Sequence, residues 1–481
     1  MTDKCLELWA IIPELVLAAL VVILVPIAGW ARGQWRRIPV LLAIAGVGIA
    51  LAVTLTMLAW PSAAVFCDTY AVDGFAAVFK ILMLTGTLIT LILIIPYFHG
   101  YPQSAHSPVL ILFSTLGGIG LASALDLGLI VLFLQMLSLP CYVLAGLFRT
   151  DRGANEAMIK YFIYAAVALA VMAYGLTFLY GLTGSLELRT IGQALRGADR
   201  VWIVVALGFI MVGYAFEMTV VPFHFWAPDV YDGATAPIAG YLSVVPKIAG
   251  FAGFVRFGLS ALPDGLWEWP IVVAILSVTT MLLGNLVALR QTRLKRLLAY
   301  SSIAQAGYVL MATAVADRVS EALGAVAYYL AAYLFMNLGA FAVVAQIERT
   351  FGNDKLLSVR GFGRTSPGLA LVLALSLLSL AGIPPLAGFA GKVLLLSSVL
   401  AGGLTWLAII GAINMALALY YYVAVIAEMY LKVAPKRTTL PGGISNGLAL
   451  TLSVTGTLIL GLFPAAGLEL LRSISNLLEN S

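Results

Sequence analysis

The sequence predicts an all-α polytopic membrane protein with about fourteen transmembrane helices. Of its 481 residues, 62% are hydrophobic and only 10% are charged, with a mean hydropathy of +1.03, whereas a soluble domain usually carries about 25% charged residues. Apolar runs of about 20 residues, enough to cross about 30 Å of hydrocarbon, recur along the whole chain. The basic residues lie in the short connections between these runs, so the net charge of +5 does not indicate a nucleic-acid-binding protein.

The apolar runs define the predicted spans. The first run is expected to be retained as a helix, because no small-residue cleavage site follows it. The twelfth run is too long for one straight span and contains Pro384 and Pro385, so it is predicted to be a broken helix. The fourteen predicted spans cover residues 8–30, 38–60, 74–96, 107–124, 127–148, 158–181, 201–222, 236–257, 269–290, 297–315, 321–346, 368–400, 405–431 and 445–466.

The orientation in the membrane follows from the lysine and arginine residues of the loops. The odd-numbered loops carry 16 of them and the even-numbered loops carry 5. Basic residues accumulate on the cytoplasmic side. The odd-numbered loops are therefore predicted to be cytoplasmic and both termini non-cytoplasmic, in what we expect to be the inner membrane of a bacterial cell.

Three ionisable residues lie deep inside apolar runs. Glu217 and Lys247 lie within residues 201–257, and Lys392 follows the prolines of the twelfth run. Because an ionised side chain in hydrocarbon costs about 2.5–3.5 kcal/mol, such residues are expected to face a polar interior or a water-filled path. Two similar halves with broken helices and buried titratable groups are typical of transporters and favour proton relay over transport of a bulky solute.

Other polar residues allow two interpretations. Lys160, near the start of the sixth run, either lines the same path or extends its ammonium to the membrane surface. His224, close to Pro222 in the break of residues 221–237, either relays protons or is a buried structural histidine. Lys80 is expected to reach the membrane surface. The following acids near the ends of spans are expected to be interfacial: Glu14, Asp126 and Glu428.

Signals of a soluble enzyme are absent from the sequence. It has no Walker motif, no dinucleotide-binding glycine pattern, no CxxC cluster and no HExxH motif. Its three cysteines show no metal-ligand spacing and no evident disulfide pair. We therefore expect no cofactor and no metal on this chain.

Several long motifs resemble the N subunit of respiratory complex I, whose mitochondrial counterpart is subunit 2. The similarity extends from the first helix to about residue 465. The motifs that carry it are LSLPCYVLAGL (137–147), EAMIKYFIY (156–164), VPFHFWAPDVYDGATAP (221–237), LKRLLAYSSIAQAGY (294–308) and LAGIPPLAGFAGK (380–392).

The resemblance implies a fourteen-helix fold with two inverted five-helix repeats and broken helices seven and twelve. The implied units are an N-terminal segment, 1–106, a first half, 107–257, a second half, 258–431, and a C-terminal helix and tail, 432–481. It also implies a proton path in which Lys160, Lys247, Lys392 and His224 match family positions. Quinone, FMN and iron–sulfur clusters would then belong to partner subunits.

The sequence departs from the family at two positions. The glutamate of the fifth helix is Gln135 here, and the lysine of the seventh helix is Glu217. In the family these two positions form a carboxylate–lysine pair that tunes the proton affinity of the lysine. We hypothesise that Glu217 takes over the carboxylate role, with Lys247 or Lys160 as its cationic partner.

The leading prediction is a proton-translocating subunit of a complex I-like NADH-quinone oxidoreductase. Three alternatives remain at this point. The chain could belong to a cation/proton antiporter, to a membrane-bound hydrogenase of the same superfamily or another specialised paralogous complex, or it could be a structural subunit with altered pumping.

Overall fold

The computed structural model describes residues 7–99, 102–147, 152–262, 268–433 and 444–465. Within these ranges the chain is almost entirely helical, apart from short 3-10 turns and one β-hairpin of β1 (Ala63–Val65) and β2 (Tyr70–Val72). The helices are α1 (Ile12–Trp30), α2 (Ile38–Met57), α3 (Gly74–Ile94), α4 (Ser107–Leu121), α5 (Leu127–Leu147), α6 (Arg152–Thr183), α7 (Leu188–Leu195), α8 (Arg200–Glu217), α9 (Trp226–Gly233), α10 (Ala236–Ala261), α11 (Glu268–Ala288), α12 (Leu294–Thr313), α13 (Glu321–Phe351), α14 (Phe362–Thr365), α15 (Pro367–Ala381), α16 (Ala387–Ala401), α17 (Thr405–Leu431) and α18 (Ile444–Leu462).

The multi-pass membrane fold is confirmed. Twelve of the described helices are long and apolar enough to cross a membrane, and α15 and α16 are shorter apolar helices. Every predicted span coincides with a helix, or with the α15–α16 pair for the twelfth. Since α12 does not meet the same criterion of length and apolar character, the number of fourteen crossings stays a prediction. The inverted repeats and the unit boundaries also stay predictions.

Two helices form the centre of the bundle. Nearly all residues of α10 and α13 are buried, whereas most residues of α1, α6 and α18 face outward. A charged side chain on α10 or α13 therefore lies in the protein interior and not in lipid. This arrangement places Lys247, on α10, at the centre of the molecule.

The loops alternate between the two ends of the bundle. Asp73, Leu125, Arg189 and Arg318, from loops two, four, six and ten, line a single cavity together with Arg256 in the last turns of α10. At the opposite end, a second cavity is lined by Gly153, Asp232 and Arg293, from loops five, seven and nine. We call these the even-loop end and the odd-loop end. The alternation of the loops is as predicted. Which of the two ends faces the cytoplasm stays a prediction.

Both predicted helix breaks are present. The break between α8 and α9 contains Pro222, and the break between α15 and α16 contains Pro384 and Pro385. In the first break, the indole Nε1 of Trp226 donates to the carbonyl of Phe216 at 3.1 Å, and Thr280 Oγ1 accepts from the amide of Val221 at 3.1 Å. Side chains thus satisfy backbone groups that a continuous helix would have paired, as an apolar surrounding requires.

Some features of the loops were not predicted. The amphipathic α7 and the hairpin of β1 and β2 both lie in even-numbered loops. Cys67, for which the sequence indicated no partner, is disulfide-bonded.

Candidate proton-transfer site

The break between α15 and α16 holds the ammonium of Lys392. Helix α15 ends at Ala381, and Gly382 follows in the left-handed conformation with φ 89°. Lys392 Nζ donates to the carbonyls of Leu380 and Ala381 at 2.8 and 3.0 Å. These carbonyls belong to the last turn of α15, where the helix dipole favours a cation. The lysine is 3% exposed, so its charge is held inside the protein as predicted from its depth in the run.

Lys247 is also buried and is bound by neutral groups. Its Nζ donates to the carbonyl and the hydroxyl of Ser302 on α12, at 2.6 and 2.5 Å. The ammonium lies 5.7 Å from the ring centroid of Tyr333, and the Tyr333 hydroxyl donates to Ser302 Oγ at 2.7 Å. Ser302 is therefore the contact through which α10, α12 and α13 meet at Lys247.

Polar groups of α12 and α13 connect Lys247 with Lys392. One turn beyond Ser302 on α12, Gln305 Nε2 donates to the carbonyl of Leu380 at 3.2 Å, the same carbonyl that binds Lys392. The hydroxyl of Tyr329 donates to Gln305 Oε1. No hydrogen bond among the described residues joins Ser302 to Gln305, but the two residues lie one turn apart on α12, so the polar groups that bind the two lysines follow each other along one buried line. The sequence analysis did not identify Ser302 or Gln305, although both lie in the motif of residues 294–308.

Glu217 is the last residue of α8 and faces α5. Its Oε2 accepts a hydrogen bond from Ser138 at 3.0 Å, while Oε1 is buried without a hydrogen-bond partner in the described structure. Glu217 and Gln135 line the same small cavity, of about 20 Å³. The two positions at which the sequence departs from the family therefore lie close together, on neighbouring helices.

The predicted ion pair of Glu217 is not formed. No basic side chain in the described ranges makes an ion pair with this carboxylate. On α10, a Cβ atom at Gly250 would lie 3.1 Å from Glu217 Cγ, so the carboxylate packs about one turn from Lys247. The ammonium of Lys247, however, is directed to Ser302.

Lys160 lies away from this interior line. Its ammonium binds Asp229 at 2.8 Å and Glu156 at 2.7 Å, and 37% of its side chain is exposed. It lines the cavity at the odd-loop end, which has a volume of about 320 Å³. Of the two interpretations of Lys160, the structure favours the one in which it reaches the surface, and it excludes direct pairing with Glu217 in this conformation.

The odd-loop cavity brings opposite charges together. Asp229 binds both Lys160 and Arg296, the latter at 3.0 Å. Burial favours the neutral form of Asp229, but these two cations outweigh it and lower the pKa of the carboxyl. Asp354, nearby in loop eleven, is likewise buried, and Lys295 and Arg293 hold its pKa below the ordinary value. The cavity walls are thus charged where the bundle meets one membrane surface.

His224 lies in the break between α8 and α9. It is 3% exposed, and its Nδ1 has no hydrogen-bond partner in the described part of the chain. Its ring packs against Phe225, with centroids 4.4 Å apart. A buried imidazole nitrogen that is not satisfied by a protein group is compatible with either interpretation of this residue, and its role stays a prediction.

Two residues that were expected at the membrane surface are buried instead. The sequence analysis placed Lys80 and Glu14 at the surface, but they are 0% and 7% exposed and form an ion pair with each other at 2.8 Å. The physical reason is that α1 and α3 both pack against α2 and α4, and this arrangement brings the carboxylate of Glu14 to the depth of Lys80. Neither residue was identified as functional from sequence, because the pairing depends on which helices become neighbours.

Comparisons with known proteins agree with this architecture. Residues 124–418 match the family model described as the transmembrane region of NADH:quinone oxidoreductase and Mrp antiporter subunits. The chain is 36% identical to NADH-quinone oxidoreductase subunit N of Trichlorobacter lovleyi, over 97% of this chain and 96% of that protein. The chain belongs to the NADH-quinone oxidoreductase subunit N family.

Solved structures related to this family share the fold. A chain of respiratory complex I from Thermus thermophilus is 33% identical and superimposes with a TM-score of 0.82, covering 96% of this chain and 100% of that chain. A chain of the Mrp complex from Dietzia sp. has a TM-score of 0.88 at 22% identity, covering 99% and 98%. The second likeness shows a common fold only.

Proposed function

We propose that this chain is a proton-translocating membrane subunit of a complex I-like NADH-quinone oxidoreductase. Membership of the subunit N family supports the assignment to such a complex, together with its other membrane and peripheral subunits as partners. Quinone reduction on those partners would supply the free energy, and this chain would move protons. In this assignment the enzyme is a translocase, and the quinone site, FMN and iron–sulfur clusters are on partner subunits.

The observation that carries the proposal is the buried polar line from Lys247 to Lys392. Each lysine can release a proton from Nζ and later regain one, and Ser302 and Tyr333 are hydroxyl groups that can both donate and accept. The carbonyl of Leu380 accepts hydrogen bonds from Gln305 and Lys392 and holds them side by side. The lysines act as proton-transfer groups, and Gln305 and Leu380 act as positioning groups.

The other residues that were predicted to transfer protons lie near the line from Lys247 to Lys392 or at the odd-loop end. Glu217 lies near Lys247 across Gly250, and His224 lies in the adjoining break. We assign Glu217 and His224 to the part of the path that approaches Lys247, and Lys160 with Asp229 to the cavity through which protons reach the chain. Gln135 contributes a polar wall without a titratable group.

The comparison with relatives favours a quinone oxidoreductase subunit over an antiporter subunit. Identity is 36% to a quinone oxidoreductase subunit along nearly the whole chain, whereas the antiporter chain shares 22%. We place the complex in a bacterial inner membrane, with the odd-loop end at the cytoplasm and the termini on the other side.

Lys392 provides the test of this function. In the assembled complex reconstituted into vesicles, Lys392→Ala is expected to slow the proton step by roughly 10²-fold, the usual contribution of a proton-transferring side chain. Lys392→Arg is also expected to slow the proton step, because the arginine keeps the positive charge but does not release its proton. The measurement is the number of protons translocated per quinone reduced.

Ser398→Ala is the matched control, since Ser398 is buried on the same helix and donates only to the carbonyl of Leu394 in the preceding turn. It is expected to pump normally. Full pumping by both Lys392 variants in assembled complexes would refute the proposed role of this lysine.

A further inference from the structure

A buried carboxylate–ammonium pair lies between α1 and α3, outside the line from Lys247 to Lys392. Lys80 Nζ is 2.8 Å from Glu14 Oε1, and the side chains are 0% and 9% exposed. The hydroxyl of Tyr70 donates to the same oxygen at 2.7 Å and accepts from Lys80 at 3.1 Å. Glu14 Oε2 is buried and has no hydrogen-bond partner among the residues that the structure describes. One oxygen of this carboxylate therefore remains available to a proton donor.

The cavity at the even-loop end lies near the pair: Ala71, which follows Tyr70 in the chain, and Asp73 line this cavity, whereas Glu14 and Lys80 do not. This cavity has a volume of about 730 Å³ and is lined by Asp73 and Arg256, among others. Arg256 donates to both oxygens of Asp73, at 2.9 and 2.8 Å. Burial favours the neutral form of Asp73, but Arg256 outweighs it and, with Lys80, lowers the pKa of this carboxyl. The charge of Lys80 therefore acts on a group in the cavity wall.

The same face of α3 continues into the protein interior. Asp73, Lys80 and Thr87 follow each other at intervals of seven residues, which is about two helical turns. Thr87 Oγ1 is 2.8 Å from Thr115 Oγ1, which is 3.0 Å from the hydroxyl of Tyr241. Tyr241 lies on α10, the helix that also carries Lys247. The pair thus lies between an open cavity and a set of hydroxyl groups that reaches the central helix.

A purely structural ion pair would explain the burial but not these surroundings. Replacing a buried ion pair by neutral side chains of similar size is often harmless to stability. A pair that serves only to join α1 to α3 does not need a free carboxylate oxygen, nor a position near a cavity. Both features favour a pair that exchanges protons, because the free oxygen can hold the proton and the cavity offers a route to water.

We propose that Glu14 and Lys80 form a second proton-transferring pair, which passes protons between the interior and the even-loop cavity. The inference rests on the proposed function. In the transfer step the N–H bond of the Lys80 ammonium breaks and an O–H bond forms on Glu14, which leaves a neutral amine and a neutral acid. Glu14 then gives its proton to water of the cavity, and Lys80 regains one from water on the interior side.

Two variants of the pair in the complete complex test this inference. Glu14→Gln combined with Lys80→Met removes both charges while nearly conserving volume, and Lys80→Arg keeps an ion pair but does not release its proton. Both are expected to reduce quinone in assembled complexes and to show a loss of protons translocated per quinone reduced. If the pair is only structural, Lys80→Arg is expected to translocate as many protons per quinone as the wild type. The same is then expected of the double variant in every complex that assembles.

Lys295 and Glu348 provide the matched control. Their Nζ–Oε1 distance is also 2.8 Å, and their side chains are 0% and 11% exposed. The double variant with Lys295→Met and Glu348→Gln is expected to translocate as many protons per quinone as the wild type in the complexes that assemble.

The outcomes separate the two proposals. If the wild-type complex pumps and Lys80→Arg pumps with the same stoichiometry, the role of Glu14 and Lys80 is overturned. If the wild-type complex itself translocates no protons, the proposed function fails first.

Discussion

The buried lysines of the central line are bound by neutral oxygens. Lys247 is held by Ser302, and Lys392 by the carbonyls of Leu380 and Ala381. A carboxylate neighbour stabilises an ammonium more strongly than a neutral oxygen does. Glu14 and Lys80, by contrast, form a direct ion pair. At the residue scale the chain therefore has two kinds of lysine site, and Glu217 is a carboxylate that belongs to neither.

Substitution of Glu217 tests whether its carboxylate transfers protons or only occupies a buried polar position. Glu217→Gln keeps a hydrogen-bonding partner for Ser138 but removes the titratable group. Because no lysine is ion-paired with Glu217 in the described structure, this change leaves no buried ammonium without its counter-charge. We expect an assembled complex with clearly reduced proton translocation per quinone reduced, as measured in vesicles.

Gln135→Ala is the control for this prediction, because Gln135 lines the same cavity and cannot titrate. It is expected to pump nearly normally. Gln135→Glu together with Glu217→Lys, which restores the family pattern, is expected to recover more activity than Glu217→Lys alone. Normal pumping by Glu217→Gln would contradict a role in proton transfer.

At the element scale, the break between α15 and α16 depends on one glycine. Gly382 ends α15 with a positive φ, and a Cβ atom there would lie 2.8 Å from Cδ of Lys392. The break thus presents two carbonyls to the lysine only where no side chain occupies the space. A continuous helix would have used these carbonyls in its own hydrogen bonds.

Gly382→Ala is expected to displace Lys392 from the carbonyls of Leu380 and Ala381. The left-handed backbone costs about 1–2 kcal/mol for a residue with a Cβ atom, and the contact with Lys392 adds to this cost. We expect a lower melting temperature of the complex and reduced proton translocation per quinone reduced.

Gly403→Ala separates the two effects. Gly403 also has a positive φ, of 79°, but no atom lies within 4 Å of the position that its Cβ would take. This variant is expected to lower the melting temperature slightly and to pump normally. Equal pumping by the two variants would show that the contact with Lys392 is unimportant.

At the scale of the whole molecule, a charged cavity lies at each end of the bundle. The cavity at the odd-loop end contains Lys160 and Asp229, and that at the even-loop end contains Asp73 and Arg256. Between them, α10 and α13 are almost completely buried. The arrangement has two polar openings and a buried titratable line, as a path across the membrane requires.

The orientation of the bundle can be measured on α13, whose ends are near Ser320 and Lys355. Both residues are exposed and lie at opposite ends of the molecule. In intact cells, a membrane-impermeant thiol reagent is expected to label Ser320→Cys but not Lys355→Cys, which should react only after the cells are opened. Labelling of Lys355→Cys from outside would reverse the topology.

The sequence by itself determined the helices, their breaks and the depth of most buried charges. Hydropathy and the effect of proline are local properties, so the spans and the breaks at Pro222 and Pro384 could be predicted from short stretches. For the same reason Lys247 and Lys392 were correctly expected to be buried in the middle of their runs.

Only the tertiary structure decided which groups these charges meet. Lys80 is as close to the end of its run as a surface lysine would be, yet Glu14 of another helix keeps it inside. Glu217 was expected to pair with a lysine, but Ser302 binds the ammonium of Lys247 and Asp229 binds that of Lys160. Partner choice depends on helix packing between segments distant in sequence, because side-chain hydrogen bonds form only where such packing brings donors and acceptors to within about 3 Å.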